Sequence, residues 1–403
     1  MKEMKEFVRK KLKNGLTILF EKRRQEVVSV SASVKHGSAY EKEKEKGISH
    51  FIEHLMFKGT KNRTHKEIAE EIEKRGGVLN AYTGEEVTCY WNKLPSKYFS
   101  FGMDVASDLI LNPKFDKEDF EKEKKVILEE IKMYHDSPGL YVMNKLKEML
   151  FKKPFGLSAL GDARKIKGMK GEEITNYFKR KYASNKMILC VVGNTSIDKI
   201  EKFAKRFQKT KAREEKAKIT KIYRQCIEKR KDLQQAHLAL GFHFDSQKRY
   251  AYDIFNTILA GGMSSRLFEE IREKRGLVYD IKGFLECGKN YGYQIIYAGT
   301  TKEKAKLCKD IILKEIEKMK ELNKKDFEEC KEQLIGLKKI ASEESVSVMN
   351  NLIGEEILGD ARNFYRYDNK ILAVRLEEVR QLAKIKNFGS LLLIPKNTSS
   401  DKK

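Results

Sequence analysis

Residues 70–84 read EEIEKRGGVLNAYTG, and residues 269–284 read EEIREKRGLVYDIKGF. A second pair keeps a similar offset of about 200 residues, KEDFEKEKKVILEEIKM at 117–133 and KKDFEECKEQLIGLKKI at 324–340. Two likenesses at one offset predict a duplicated domain, with an N-terminal half over residues 1–210 and a C-terminal half over 222–403. The charged run QKTKAREEKAKITK, near residues 208–222, reads as the linker. The copies differ where chemistry is concerned. Cys330 stands in the second copy where the first has Glu123, and Leu337 where the first has Glu130.

The first half also carries HFIEH, residues 50–54, which has no counterpart in the second. On a helix, residues i and i+4 lie one above the other, so His50 and His54 project two imidazoles from one face as a metal pincer. Glu53 sits beside them, placed to polarise a metal-bound water without being a ligand. The order is the inverse of the commoner HExxH. The bland alternative for this pentapeptide is two partly exposed histidines paired with a glutamate.

Composition bounds the rest. A chain of 403 residues predicts two or three domains, and no apolar run approaches the roughly 18 residues of a membrane span. The basic opening, MKEMKEFVRKKLKNG, lacks the apolar centre of a signal peptide, so a cytoplasmic protein is expected. Six scattered cysteines without a CxxC pair read as reduced core thiols. The net charge of +24 suggests nucleic acid, an anionic surface or an acidic substrate. Lysines and glutamates alternate through most helices, however, and no aromatic-studded basic tract stands out, so the expectation is a solvated lysine-rich surface with neither nucleic acid nor membrane as partner.

Local signals place the motifs. Val28, Val30, Ala32 and Val34 alternate with Ser29, Ser31 and Ser33, which predicts a strand with one buried face. The HFIEH helix begins near Gly47 or Ser49 and stops at Gly59. Thr64 with Glu67 forms a capping box for the next helix, and GGVLNAYTGEEVTCYW reads as strands joined at Thr83-Gly84. A further helix is expected near Tyr98 to Leu111, and a long one from Asp116 to the break at Ser137-Pro138-Gly139. On that long helix Glu123, Ile127, Glu130 and Tyr134 share one stripe. A carboxylate on an apolar stripe needs a partner, and a metal dication is one; a buried salt bridge is another.

These motifs together resemble the pitrilysin and insulysin superfamily of zinc peptidases, in particular the bacterial members similar to mitochondrial processing peptidase. The matching residues are HFIEH; Glu130, 76 residues after His54; Glu123, seven before Glu130; NAYT at 80–83; GGMSSRLFEEIREKRGLVY at 261–279; and YAGT at 297–300. The resemblance implies an α+β fold of two similar halves, each a mostly antiparallel sheet with helices packed on one face, closing as a clamshell around a chamber. It implies one zinc per chain held by His50, His54 and Glu130, with Glu53 as general base. Glu123 is expected either to orient a ligating histidine or to form a plain ion pair. Arg272 and Tyr279, from the metal-free half, would reach the substrate and the developing oxyanion; their bland readings are a solvated helix charge and a core strand residue. Asn80 and Ala81 would lie on a strand edge that an extended peptide joins, although Asn80 also suits a left-handed turn position. His36, His65, His135, His237 and His243 lack paired spacing and read as structural or surface residues.

The leading expectation is therefore a zinc metalloendopeptidase acting on short or unfolded peptides, either as a homodimer or beside a related subunit. The alternative is a non-catalytic partner subunit or peptide-binding scaffold, although such chains usually lack the zinc residues. A nucleic-acid-binding protein is a third reading, and it would show zinc-independent binding with steep salt dependence.

Overall fold

The computed structural model describes residues 6–231 and 233–396. The chain divides into two compact units. One comprises residues 1–131, 159–218 and 340–364; the other comprises 132–158, 219–339 and 365–403. Among the described residues no helix is long and apolar enough to cross a membrane.

The first unit is built on a six-stranded sheet of β1 (Phe7–Lys11), β2 (Thr17–Lys22), β3 (Val27–Val34), β4 (Val78–Thr83), β5 (Thr88–Pro95) and β6 (Met187–Gly193). Its order is β1-β2-β6-β3-β5-β4. The second unit has β7 (Gln225–Arg230), β8 (Ala236–His243), β9 (Val278–Gly288), β10 (Tyr291–Thr300) and β11 (Gly389–Pro395), in the order β7-β11-β8-β10-β9. With edge strand β1 set aside, the two orders superimpose. Each sheet is antiparallel except for one pair, and those pairs, β2 with β6 and β7 with β11, correspond. The repeat read from the sequence is thus a repeat of topology.

The compact units are not the sequential halves. The helix Ser345–Leu358 comes from the second repeat but belongs to the first unit, and the helix Pro138–Leu150 makes the reverse exchange. Each follows a long helix, Lys117–Asp136 or Lys324–Ala341. Small side chains make room for both. In the second unit a Cβ at Gly241 would stand 2.6 Å from Leu150, so the helix lies directly on β8. In the first unit the Ser29 hydroxyl meets that of Ser345 at 2.8 Å, and Arg9 forks onto Glu356 at 2.7 and 2.8 Å.

This exchange corrects the reading of β3. Its alternation predicts one buried face, yet Ser29, Ser31 and Ser33 are as fully buried as Val28, Val30 and Val34. The valine face packs into the main core against Phe51, Ile52 and Met103, while the serine face lies under the exchanged helix. Hydroxyls there reflect close approach of a helix rather than contact with water. The 208–222 stretch is likewise tied down. Thr210 bonds Ser184, and the Asn185 side chain exchanges hydrogen bonds with Ala212 at 2.8 and 3.0 Å.

The core of the first unit sits between the sheet and its helices, and it fixes the two helices that carry the expected ligands. Ile48, Phe51, Ile52, Leu55 and Met56 form the buried side of the helix Ile48–Met56. Phe51 stacks on Phe120 of the helix Lys117–Asp136, with ring centroids 5.0 Å apart.

Candidate metal centre

The helix Ile48–Met56 starts where a side chain could not follow. Gly47 has φ +97°, and a Cβ there would meet the Gly161 backbone at 2.9 Å. Its free N–H groups are taken by Glu41, which accepts from Gly47 N at 3.1 Å and Ser49 N at 2.7 Å. A carboxylate at a helix N-terminus completes unsatisfied donors and complements the dipole. Burial pushes the Glu41 pKa up, against the pull of Lys46 and these N–H groups.

One helical turn apart, His50 and His54 present their rings from the same face, with centroids 4.6 Å apart. Glu130 comes from the stripe predicted on Lys117–Asp136, where Glu123 and Ile127 are buried and Glu130 and Tyr134 half-buried. Its Oε2 lies 3.4 Å from His50 Nε2 and 3.3 Å from His54 Nε2. These separations fit a metal. Ligand atoms of a tetrahedral zinc bound at about 2.0–2.1 Å stand about 3.3–3.4 Å from one another. Glu130 Oε2 is also buried without a hydrogen-bond partner among the described residues, as an atom awaiting a cation would be. Among the described residues, His50, His54 and Glu130 are the one group of three such side chains close enough to share an ion.

The two histidines stand in different electrostatic surroundings. Burial, with His54 nearby, pushes the His50 pKa down to about 4. Burial acts on His54 in the same sense, but the Glu123 and Glu130 carboxylates outweigh it and hold the ring up at about 9. Glu123 faces His54 Nδ1 at 3.1 Å and pairs with Lys58 at 2.6 Å. It therefore meets both a histidine and a lysine, and His54 Nε2 is turned toward Glu130. Glu53, next to His54, is the neighbouring carboxylate outside this group of three. Burial raises its pKa, while the Thr83 hydroxyl, donating to Oε2 at 2.5 Å, opposes the rise.

The remaining predicted residues lie on other elements. Asn80 and Ala81 lie within β4, one of the two edge strands of the sheet, so Asn80 is extended rather than at a turn. Arg272 and Tyr279 belong to the second unit. Tyr279 is 76% exposed, against the core reading, and Arg272 lies over the Phe268 ring at 4.6 Å in a π-helical turn, Phe268–Glu273. At the repeat-equivalent place in that unit the metal set is gone. Cys330 turns its thiol to the Ile254 carbonyl at 3.6 Å, and Leu337 is half exposed. His36 is buried against the Tyr177 hydroxyl at 2.8 Å, and His65 and His135 are exposed. A cavity of about 720 Å³ among Arg63, Asp104, Asp108, Tyr182 and Arg206 contains none of the metal-site residues.

Sequence reasoning missed Thr83, Lys58 and Glu41. Lys58 follows His54 by four residues and was within reach of a helical-face argument. Thr83 and Glu41 approach from a strand end and a loop, for which no periodicity exists.

Comparison with known proteins shows what the whole chain is similar to. Residues 17–163 match the family described as "Insulinase (Peptidase family M16)", and residues 169–334 match "Peptidase M16 inactive domain". The chain is 31% identical over 381 residues to "Uncharacterized zinc protease YmxG" of Bacillus subtilis (strain 168), covering 92% of this chain and 93% of the relative. It is 36% identical over 333 residues to an "Uncharacterized zinc protease" of Rickettsia felis, covering 80% and 81%. A protease from Helicobacter pylori shares the fold with a TM-score of 0.88 at 21% identity, covering 97% of this chain and 100% of that one. A Pseudomonas fluorescens structure titled as a peptidase M16 inactive domain does so at 0.87 and 18%, covering 97% and 98%.

Proposed function

The chain belongs to the insulinase family of peptidases, and from that premise we propose that it is a zinc metalloendopeptidase hydrolysing short or unfolded peptides. One observation carries the reading. Glu130 Oε2 stands at tetrahedral ligand spacing from His50 Nε2 and from His54 Nε2, beside Glu53, a half-buried carboxylate whose Oε1 has no partner among the described residues.

Bound by these three residues, zinc would supply a Lewis acid that brings the pKa of water to about 7 and polarises the peptide carbonyl. With only three protein donors, the site would leave the metal a position for water, as a catalytic site does and a closed structural one does not. Glu53 takes the proton of the attacking water and returns it to the leaving amine. Glu123 keeps His54 oriented, and Lys58 balances the charge of Glu123. Edge strand β4, with Asn80 and Ala81, offers backbone groups to an extended peptide. Arg272 and Tyr279, exposed on the second unit, are proposed to engage the substrate and the developing oxyanion. An enclosed chamber, one zinc per chain, a cytoplasmic setting and pairing with a second copy or a related subunit are carried in the same proposal.

The purified protein is expected to contain about one zinc and to cleave quenched fluorescent peptides, to stop when chelated, and to lose turnover but keep metal in Glu53→Gln. Zinc-loaded protein inert toward a broad peptide library would overturn the proposal in favour of a non-catalytic partner subunit.

A further inference from the structure

Resting on the peptidase reading above, we propose that Thr83 is a positioning residue that holds the Glu53 carboxylate in its working orientation. Thr83 closes β4, opposite Thr88 in register, and its Oγ1 donates to Glu53 Oε2 at 2.5 Å. That bond engages one carboxylate oxygen and leaves Oε1 without a partner among the described residues. A carboxylate on a helix surface has free rotamers, and proton transfer needs one of them held.

The donor is itself held by a frame that also holds the helix. Gly84 N donates to Val87 O at 2.8 Å, closing the turn after β4. Ser38 N donates to Gly84 O at 3.0 Å and Ala39 N to Glu85 O at 2.8 Å, which clamps that turn to the loop at 37–41. The same loop ends in Glu41, which accepts from Gly47 N and Ser49 N at the start of the HFIEH helix. Strand end, loop and helix start form one closed hydrogen-bonded circuit, so the distance from Thr83 to Glu53 is set by backbone on both sides. Thr83 therefore orients the base without touching the metal ligands.

The test compares Thr83→Val, which keeps the shape and removes the donor, with Thr83→Ala and Thr83→Ser. Val and Ala are expected to lower kcat by about 10- to 100-fold with KM and zinc content unchanged, and Ser to recover activity to within about threefold of wild type. A merely structural role would move stability or zinc content and would not be rescued by the smaller serine. Should Thr83→Val fail to fold, Ala against Ser still separates the hydroxyl from the packing. Wild-type kcat in both Val and Ala, Ser as slow as Ala, or a rise in KM without a fall in kcat would each overturn the assignment while the peptidase reading stands. A wild-type protein without peptidase activity would overturn both.

Discussion

Glu123 Oε2 stands 3.1 Å from His54 Nδ1, while Lys58 Nζ holds the other oxygen of the same carboxylate at 2.6 Å. The far side of the His54 ring, Nε2, is thereby committed to Glu130. Glu123→Gln keeps the shape and removes the charge that fixes this orientation. Zinc affinity is expected to fall about 10- to 100-fold, measured by competition with a chromophoric chelator. Unchanged affinity would show that Glu123 serves Lys58 alone.

The Phe51 side chain lies wholly inside the core, stacked on Phe120, and so aligns the two helices that bring His50, His54 and Glu130 together. Phe51→Ala is expected to cost about 3–5 kcal/mol of stability, read from urea unfolding. Zinc affinity should fall with it, because the ligands sit on both helices. Loss of stability without loss of zinc binding would mean that the ligands are aligned by other contacts.

His36 predicts an acid sensitivity. Burial, with Lys181 and Lys186 nearby, pushes its pKa down to about 3, so in the fold the ring stays neutral where the unfolded chain takes up a proton near 6.5. Between these values the unfolded state binds more protons, and stability falls as pH drops from about 6.5 toward about 3. His36→Gln removes the group and should flatten that part of a plot of Tm against pH. A slope identical to wild type would place the acid sensitivity in the carboxylates.

Tyr279 tests the contribution of the second unit. At 76% exposure its hydroxyl carries little of the fold, and Tyr279→Phe should change stability by no more than about 0.5 kcal/mol. If the hydroxyl stabilises an oxyanion, kcat falls about 100-fold or more while zinc content holds. A kcat equal to wild type removes Tyr279 from the proposed mechanism.

Much of this was legible in the chain because it is local. A capping box at Thr64 and Glu67, the i and i+4 histidines and the shared stripe of Glu123 and Glu130 depend only on helical periodicity, and the structure places each of them so. The duplication was legible because repeated sequence builds repeated topology.

What the chain alone determined, then, was the pair of repeats and the three side chains, His50, His54 and Glu130, that the fold brings together. Tertiary structure decided the rest: the exchange of the helices Pro138–Leu150 and Ser345–Leu358 between units, the burial of the β3 serines, and the approach of Thr83 to Glu53. The physical reason is range. Periodicity reports the neighbours of a residue along its own element, whereas these contacts join elements from 30 to over 300 residues apart and leave no period in the sequence.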